Sequence, residues 1–455
     1  MPGSHAPWGP LLTMDSEKSA TNRSSRFHSP RFTSPTFRSL ANRNYRIYAS
    51  GQLVSNTGTW MARIAQDWLV LTITHSGTAL GIVTALQFLP ILLLSMWGGA
   101  LADRFPKRIM LMCTQSIMSV LSVILGLLTV SGSVTEWQIY LFALALGTVT
   151  ALDTPARQSF VVEMVGTEHL QNAVSLNSAN FNLARVIGPA VAGVMIGLFS
   201  SEIVGTGWVF LINAVSYFAV VGSLVALRAR DLRPAKPRSR AKGDLTEGLR
   251  YVRTRKDLLT VLAVVMVFGT FGLNFPVLLP LFTTQVFHAG ASAYGILSAV
   301  MALGSLSGAL LAARRKSAQI RVVVVGAFAF GLLEALASIM PGMLIFAITM
   351  VIVGLAGLTV ATTANAVIQT TVAPELRGRV MGIYLLVFMG GTPLGSPLVG
   401  WLASAAGARW ACAFCGLVTA LAAIFAGRRL ARATDRKIET SIVHRPHITV
   451  VPRTA

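Results

Sequence analysis

The chain has 455 residues, 53% hydrophobic and 12% charged, yet its formal net charge is +21. A soluble domain carries about twice that share of charge, and a nucleic-acid binder this basic would have far fewer long apolar runs. What remains is a polytopic membrane protein whose few charges sit in loops.

Residues 1–41 are rich in Ser, Arg, Thr and Pro. With no apolar h-region, they predict a disordered basic tail rather than a signal peptide. Twelve apolar segments follow, at 47–71, 78–102, 109–130, 137–155, 173–199, 208–227, 258–283, 292–313, 322–340, 344–372, 380–403 and 410–427. About 20 apolar residues cross a bilayer, so the prediction is an all-α integral membrane fold with twelve transmembrane helices. With the N-terminus placed in the cytoplasm, 35 of the 38 Lys and Arg fall in cytoplasmic tails and loops. Arg409 alone falls outside, and Arg63 and Arg185 lie within spans. This asymmetry predicts a plasma-membrane protein with both termini cytoplasmic.

The longest connection, with the basic stretch Arg233–Arg240, separates spans six and seven. It divides the chain into a bundle at 42–228, a cytoplasmic linker at 229–256, a second bundle at 257–428 and a tail at 429–455. Ala79–Ala85 resembles Ala293–Ala299, and Gly99-Ala-Leu101 recurs as Gly308-Ala-Leu310. Such repeats predict two pseudo-symmetric six-helix bundles, with a cleft that rocking opens to either side.

Ionisable residues deep in spans cost about 2.5–3.5 kcal/mol each on insertion scales, so they must pair, neutralise or face a cavity. Arg63 and Asp67 share one face of span one. Arg185 lies on span five and Glu334 on span nine. Asp67 is read as a proton site, or one that exchanges its proton for a cationic substrate, with Arg63 or Arg185 as counter-ion. A fixed structural ion pair is the equal alternative. Glu334 is read as a second proton site or, in preference, as a residue at the lipid boundary. Gln66, Gln87, Asn177, Asn213, Asn274, Asn365 and Gln369 are mostly expected to bond helix to helix. Span seven, Gly269–Pro280, has the Gly and Pro content of a broken helix near a site. Phe88, Phe271, Phe275 and Met389 could form an apolar wall but read more simply as core. Cys113, Cys412 and Cys415 all sit in apolar segments, where packing is their simplest role.

There is no phosphate-binding G-x-x-x-x-G-K-[ST] loop, so energy must come from an ion gradient. No paired His cluster, nucleophile elbow or metal-ligand spacing appears. No enzymatic activity, cofactor or metal is therefore expected, nor a nucleic-acid partner. The expected partners are the bilayer, protons and a small-molecule substrate, for a monomeric chain.

The first predicted hairpin reads Gly99-Ala-Leu-Ala-Asp103-Arg104-Phe-Pro-Lys107-Arg108. It resembles the major facilitator signature G-x-x-x-D-[RK]-x-G-[RK]-[RK], with Pro106 in place of the second Gly. The segments Gly58–Leu71, Ala151–Phe160 (holding Asp153, Pro155 and Arg157), Leu170–Ser178 and Asn182–Gly193 resemble the exporter branch of that superfamily. This branch includes enterobactin-type siderophore exporters and macrolide-efflux proteins. Gly188-Pro189-Ala-Val-Ala-Gly193 is one residue longer than the antiporter signature G-P-x-x-G-G, and reads equally as a helix kink. The resemblance implies that the Gly99–Arg108 hairpin latches the two halves in the outward-open state. It also implies that spans one, four, seven and ten line the cavity, which singles out Gln66, Asn274, Asn365 and Gln369. The expected function is proton-coupled export of amphiphilic drugs, antibiotics or siderophores. A nutrient importer and a non-transporting scaffold or receptor are the rivals.

Overall fold

The computed structural model describes residues 35–233, 245–315, 317–433, 436–441 and 447–452. Among these described residues, eleven helices are long and apolar enough to cross a membrane. They are α2 (Gly77–Arg104), α3 (Lys107–Val130), α4 (Glu136–Val165), α5 (Leu170–Gly197), α6 (Glu202–Ala226), a compound helix at Lys256–Val286, α10 (Ala291–Ala313), α11 (Ile320–Ala337), α12 (Met343–Thr371), α13 (Pro374–Ala406) and α14 (Ala408–Ala433). The remaining predicted span is α1 (Arg43–Thr74), equally long but more polar. It is shielded by α2, α4, α5 and α6, so it can bury Gln52, Asn56, Gln66 and Asp67 where a lipid-facing helix could not.

Local chemistry sets the helix ends. The Asn42 side chain accepts from the Tyr45 amide at 3.1 Å, and Ser76 from Ala79 at 3.2 Å, each satisfying an orphan donor. His75, in the left-handed region at φ 51°, closes α1. The compound helix is α8 (Lys256–Val267), a π-helical turn at Phe268–Gly272, the short α9 (Phe275–Leu281) and a second π turn at Phe282–Val286. Span seven is thus broken where its Gly and Pro predict.

Three stretches differ from expectation. Residues 35–41 form a 3₁₀ turn docked on α5, where Asn172 Oδ1 accepts from the Ser39 amide and hydroxyl. The rest of the predicted tail, and nearly all of Arg233–Arg240, lie outside the described residues. The linker holds a helix, α7 (Leu245–Thr254), whose Glu247 pairs with Arg379 of α13 at 2.5 Å. Beyond α14, Arg436–Ser441 and His447–Pro452 pair as an antiparallel ribbon. In addition, α4 continues ten residues past Pro155, which the helix accommodates internally.

Helices α1–α6 pack as one group and α8–α14 as another. The groups meet chiefly through α2 on α13 and α5 on α10. Both contacts lie at the end away from the Gly99–Arg108 hairpin, and both need bare backbone. A Cβ on Gly81 would stand 2.2 Å from the Ser396 carbonyl, and one on Gly295 2.4 Å from that of Pro189. A side chain at Gly390 would just touch Leu92. Nearer the hairpin the two helices part: Gly99, Gly378 and Gly382 have nothing within 4 Å of a Cβ position, and Met96 and Trp97 are largely exposed. The cleft between the groups is therefore closed at one end and open at the basic end.

Candidate functional site

Four side chains tie the groups together beneath the closed end. Tyr294 of α10 donates to Asp67 Oδ2 of α1 at 3.0 Å. Its ring stacks on Trp68, with centroids 5.9 Å apart. The Trp68 indole N–H donates to Glu202 Oε2 at 2.9 Å. Glu202, at the start of α6, also accepts from the Ala291 amide at 3.3 Å. This places a carboxylate on the N-terminus of α10, where the exposed amides and the helix dipole favour negative charge. Thr78 and Ser404 meet at 3.4 Å on the second contact.

Asp67 is 5% exposed and, among the described residues, belongs to no ion pair. The fixed ion pair with Arg63 or Arg185 is thus not formed among the described residues. Arg63 feels the Asp67 charge, but its guanidinium lies 5.0 Å from the Trp60 ring centroid and 5.5 Å from that of Phe88. Long helical side chains lean toward the N-terminus of their helix, which carries Arg63 a turn below Asp67 and over Trp60. Arg185 approaches the same ring from α5, at 5.7 Å. Gly188 allows this, because its Cβ would fall 2.6 Å from that of Trp60. Gly193 instead packs on α10, so the α5 motif serves two close helix contacts.

The remaining predicted residues divide. Asp153 is fully buried, pairs with Arg157 at 2.5 Å and accepts from Thr114 and Gln115 at 2.7 and 2.9 Å. Arg157 reaches Gln52 and Asn56 of α1 at 3.4 and 3.3 Å. Pro155 packs against the backbone at Gly98. A cavity of about 240 Å³ adjoins this centre, lined by Arg157, Asn177 and Phe181 among others. In the hairpin, Lys107 pairs with Glu163 at 2.6 Å and Arg108 donates to the Leu224 carbonyl at 2.8 Å. Both partners are in its own group. Asp103 and Arg104 are exposed and enter no ion pair among the described residues.

Of the cavity residues implied by the resemblance, Gln66 is buried. It accepts from Gln87 at 3.0 Å and donates toward the Ile139 carbonyl at 3.5 Å. Asn274 is buried at the first π turn and donates to the Thr270 carbonyl at 2.6 Å. Gln369 is exposed and donates to Asn365 at 2.5 Å. Asn213 bonds Ser122 at 3.2 Å. Phe271 and Phe275 pack edge-on against Phe414 and Phe330, inside their own group rather than on a cavity wall. Glu334 is 0% exposed, between α11 and α14, with neither carboxyl oxygen bonded. It is not at the lipid boundary: Gly331 and Gly416 draw these two helices close over it. Cys412 and Cys415 are buried free thiols beside it.

Sequence reasoning missed Tyr294 and Glu202. Tyr294 lies within the repeated Ala293–Ala299 segment, and Glu202 is an isolated acid between apolar segments. Their spacing carries no hint that they meet Asp67 and Trp68.

A family model described as transmembrane secretion effector matches residues 34–451. The staphyloferrin A transporter of Staphylococcus aureus is 28% identical over 78% of this chain and 88% of its own length. The multidrug efflux pump Tap of Mycolicibacterium fortuitum gives the same three figures. Macrolide efflux protein A of Streptococcus pyogenes is 22% identical over 77% and 87%. Among solved structures, a bacterial homologue of the human lysosomal transporter Spinster, inward-facing and occupied, superposes with a TM-score of 0.69 at 17% identity, covering 87% of this chain and 97% of that one. A D-xylose–proton symporter gives 0.62 at 15% identity, covering 84% and 96%. The match over nearly the whole length, on a shared fold, shows that the chain belongs to the transmembrane secretion effector family of major facilitator transporters.

Proposed function

We propose that the protein is a proton-coupled antiporter that exports an amphiphilic small molecule across the plasma membrane by alternating access. In this reading α1 completes twelve spans, the basic end and both termini are cytoplasmic, and 42–228 and 257–428 are the two bodies that rock. The structure is then the inward-facing state. The family and the efflux functions named for its relatives support export.

The observation that carries proton coupling is the Asp67–Tyr294 bond. It places a buried carboxyl without an ion-pair partner across the contact that must part for release. A charge so placed is costly, and a proton removes the cost. Proton gain or loss at Asp67 would then bias the contact between shut and open. Asp67→Asn, reconstituted in proteoliposomes, should abolish flux driven by an imposed pH gradient. It should preserve expression and substrate counterflow at equal pH. Full gradient-driven flux in the variant would remove Asp67 from the mechanism.

A further inference from the structure

Two cations beneath the closed contact belong to no ion pair among the described residues. Arg63 and Arg185 are both partly buried, and neither makes an ion pair or donates a hydrogen bond among the described residues. Both approach one anchor, at 5.0 and 5.7 Å from the Trp60 ring centroid. Two like charges thus share one aromatic ring.

The position is as telling as the charge. Arg63 lies on the α1 face bounded by Phe88 of α2 and Arg185 of α5. Those two helices carry the contact with the other group. One turn above, Asp67 bonds across that contact to Tyr294. The pair of guanidiniums therefore sits directly under the closed end. Apolar surface adjoins it: Phe181 packs edge-on against Trp60 and is 44% exposed.

We infer that Arg63, Trp60 and Arg185 form an anion subsite, and that the transported molecule is an amphiphilic acid whose carboxylate or similar anionic head lies between the guanidiniums while its apolar body rests on Phe88 and Phe181. Two guanidiniums in a desolvated site reject a cation as strongly as they recruit a carboxylate. Asp67 does not fill the subsite in this state, because Tyr294 holds it. The inference rests on the transport reading only in taking the cleft as the substrate's path.

The test compares 1-naphthaleneacetate with 1-naphthaleneacetamide, the same body with and without charge, and with tetraphenylphosphonium as a lipophilic cation. Binding is measured to the full chain in phosphatidylcholine nanodiscs. Ion-assisted hydrogen bonds of this kind give about tenfold or more, so the acid should bind at least that much tighter than the amide. Arg185→Gln and Arg63→Gln should erase the preference, and Arg185→Lys should keep part of it. Should a Gln variant not fold, the acid–amide ratio of the wild type and of Arg185→Lys still decides. Equal binding of acid and amide, or preference for the cation, overturns the inference. So does displacement of the acid when phosphatidylglycerol replaces part of the lipid, which would assign the subsite to a lipid headgroup. Binding needs no gradient, so the two readings fail separately. Acid selectivity without proton-driven flux sinks only the coupling, and proton-driven flux of a cation without acid selectivity sinks only the subsite.

Discussion

At the scale of single residues, Trp60 is held between three neighbours chosen for different reasons. Gly188 lets α5 come close, while Arg63 and Arg185 cover the ring. A β-branched residue at 188 would push on Trp60 itself. Gly188→Val should lower thermal stability by about 1–3 kcal/mol, as overpacking does. It should also abolish the preference for the naphthalene acid, which a merely structural lesion elsewhere in α5 would leave intact. Glu334 is the opposite case, a carboxyl with no hydrogen-bond partner among the described residues, between two helices of one group. Glu334→Gln should retain both folding and gradient-driven flux. A variant that folds but loses flux would make Glu334 a second proton site.

At the scale of elements, the centre at Asp153 does what the sequence could only partly announce. The stretch around Asp153, Pro155 and Arg157 stands out as a motif, yet the spacing implies nothing about Thr114, Gln115, Gln52 or Asn56. These converge because α1, α3 and α4 pack together at the basic end. Removing one member strands the other. Asp153→Asn should cost about 3–5 kcal/mol of stability by leaving Arg157 uncompensated, and adding Arg157→Gln should recover much of it. Calorimetry of the two variants checks this, and an unchanged single variant would show the centre to be ornamental. The same limit governs what was legible overall. Hydropathy located the eleven helices long and apolar enough to span, and Gly with Pro located the break in span seven, because these are properties of one segment. The Arg63–Asp67 spacing suggested a pair but not the direction in which a long side chain leans. Tyr294 and Glu202 act only across helices far apart in sequence, so no local pattern could reveal them.

At the scale of the whole molecule, the rocking proposed between a closed end and an open end has a testable stop. Thr78 and Ser404 face each other across the closed contact. In a Cys113→Ser background, oxidising Thr78→Cys with Ser404→Cys should lock the structure and stop transport, and reduction should restore it. Unimpaired transport in the crosslinked protein would mean that this contact does not open. Charge movement gives a second check. Export of a monovalent acid against entry of one proton moves two charges per cycle, about 4.6 kcal/mol per 100 mV at about 2.3 for each charge. A negative-inside potential clamped with valinomycin should therefore drive flux even at equal pH. A cation exchanged for a proton would show no such response.

The contacts at the closed end bring out a different matter, that of how such a protein changes over generations. Gly81 packs on the backbone of Ser396 and Gly295 on that of Pro189, and a side chain added at either glycine would wedge the helices apart. The proposed subsite instead takes its apolar surface from side chains, those of Phe88, Phe181 and Trp60. On the proposed reading, cargo and gate can change independently: a saturation library should be intolerant at the glycines under every selecting compound, while the tolerated substitutions at Phe88 and Phe181 change with the compound used.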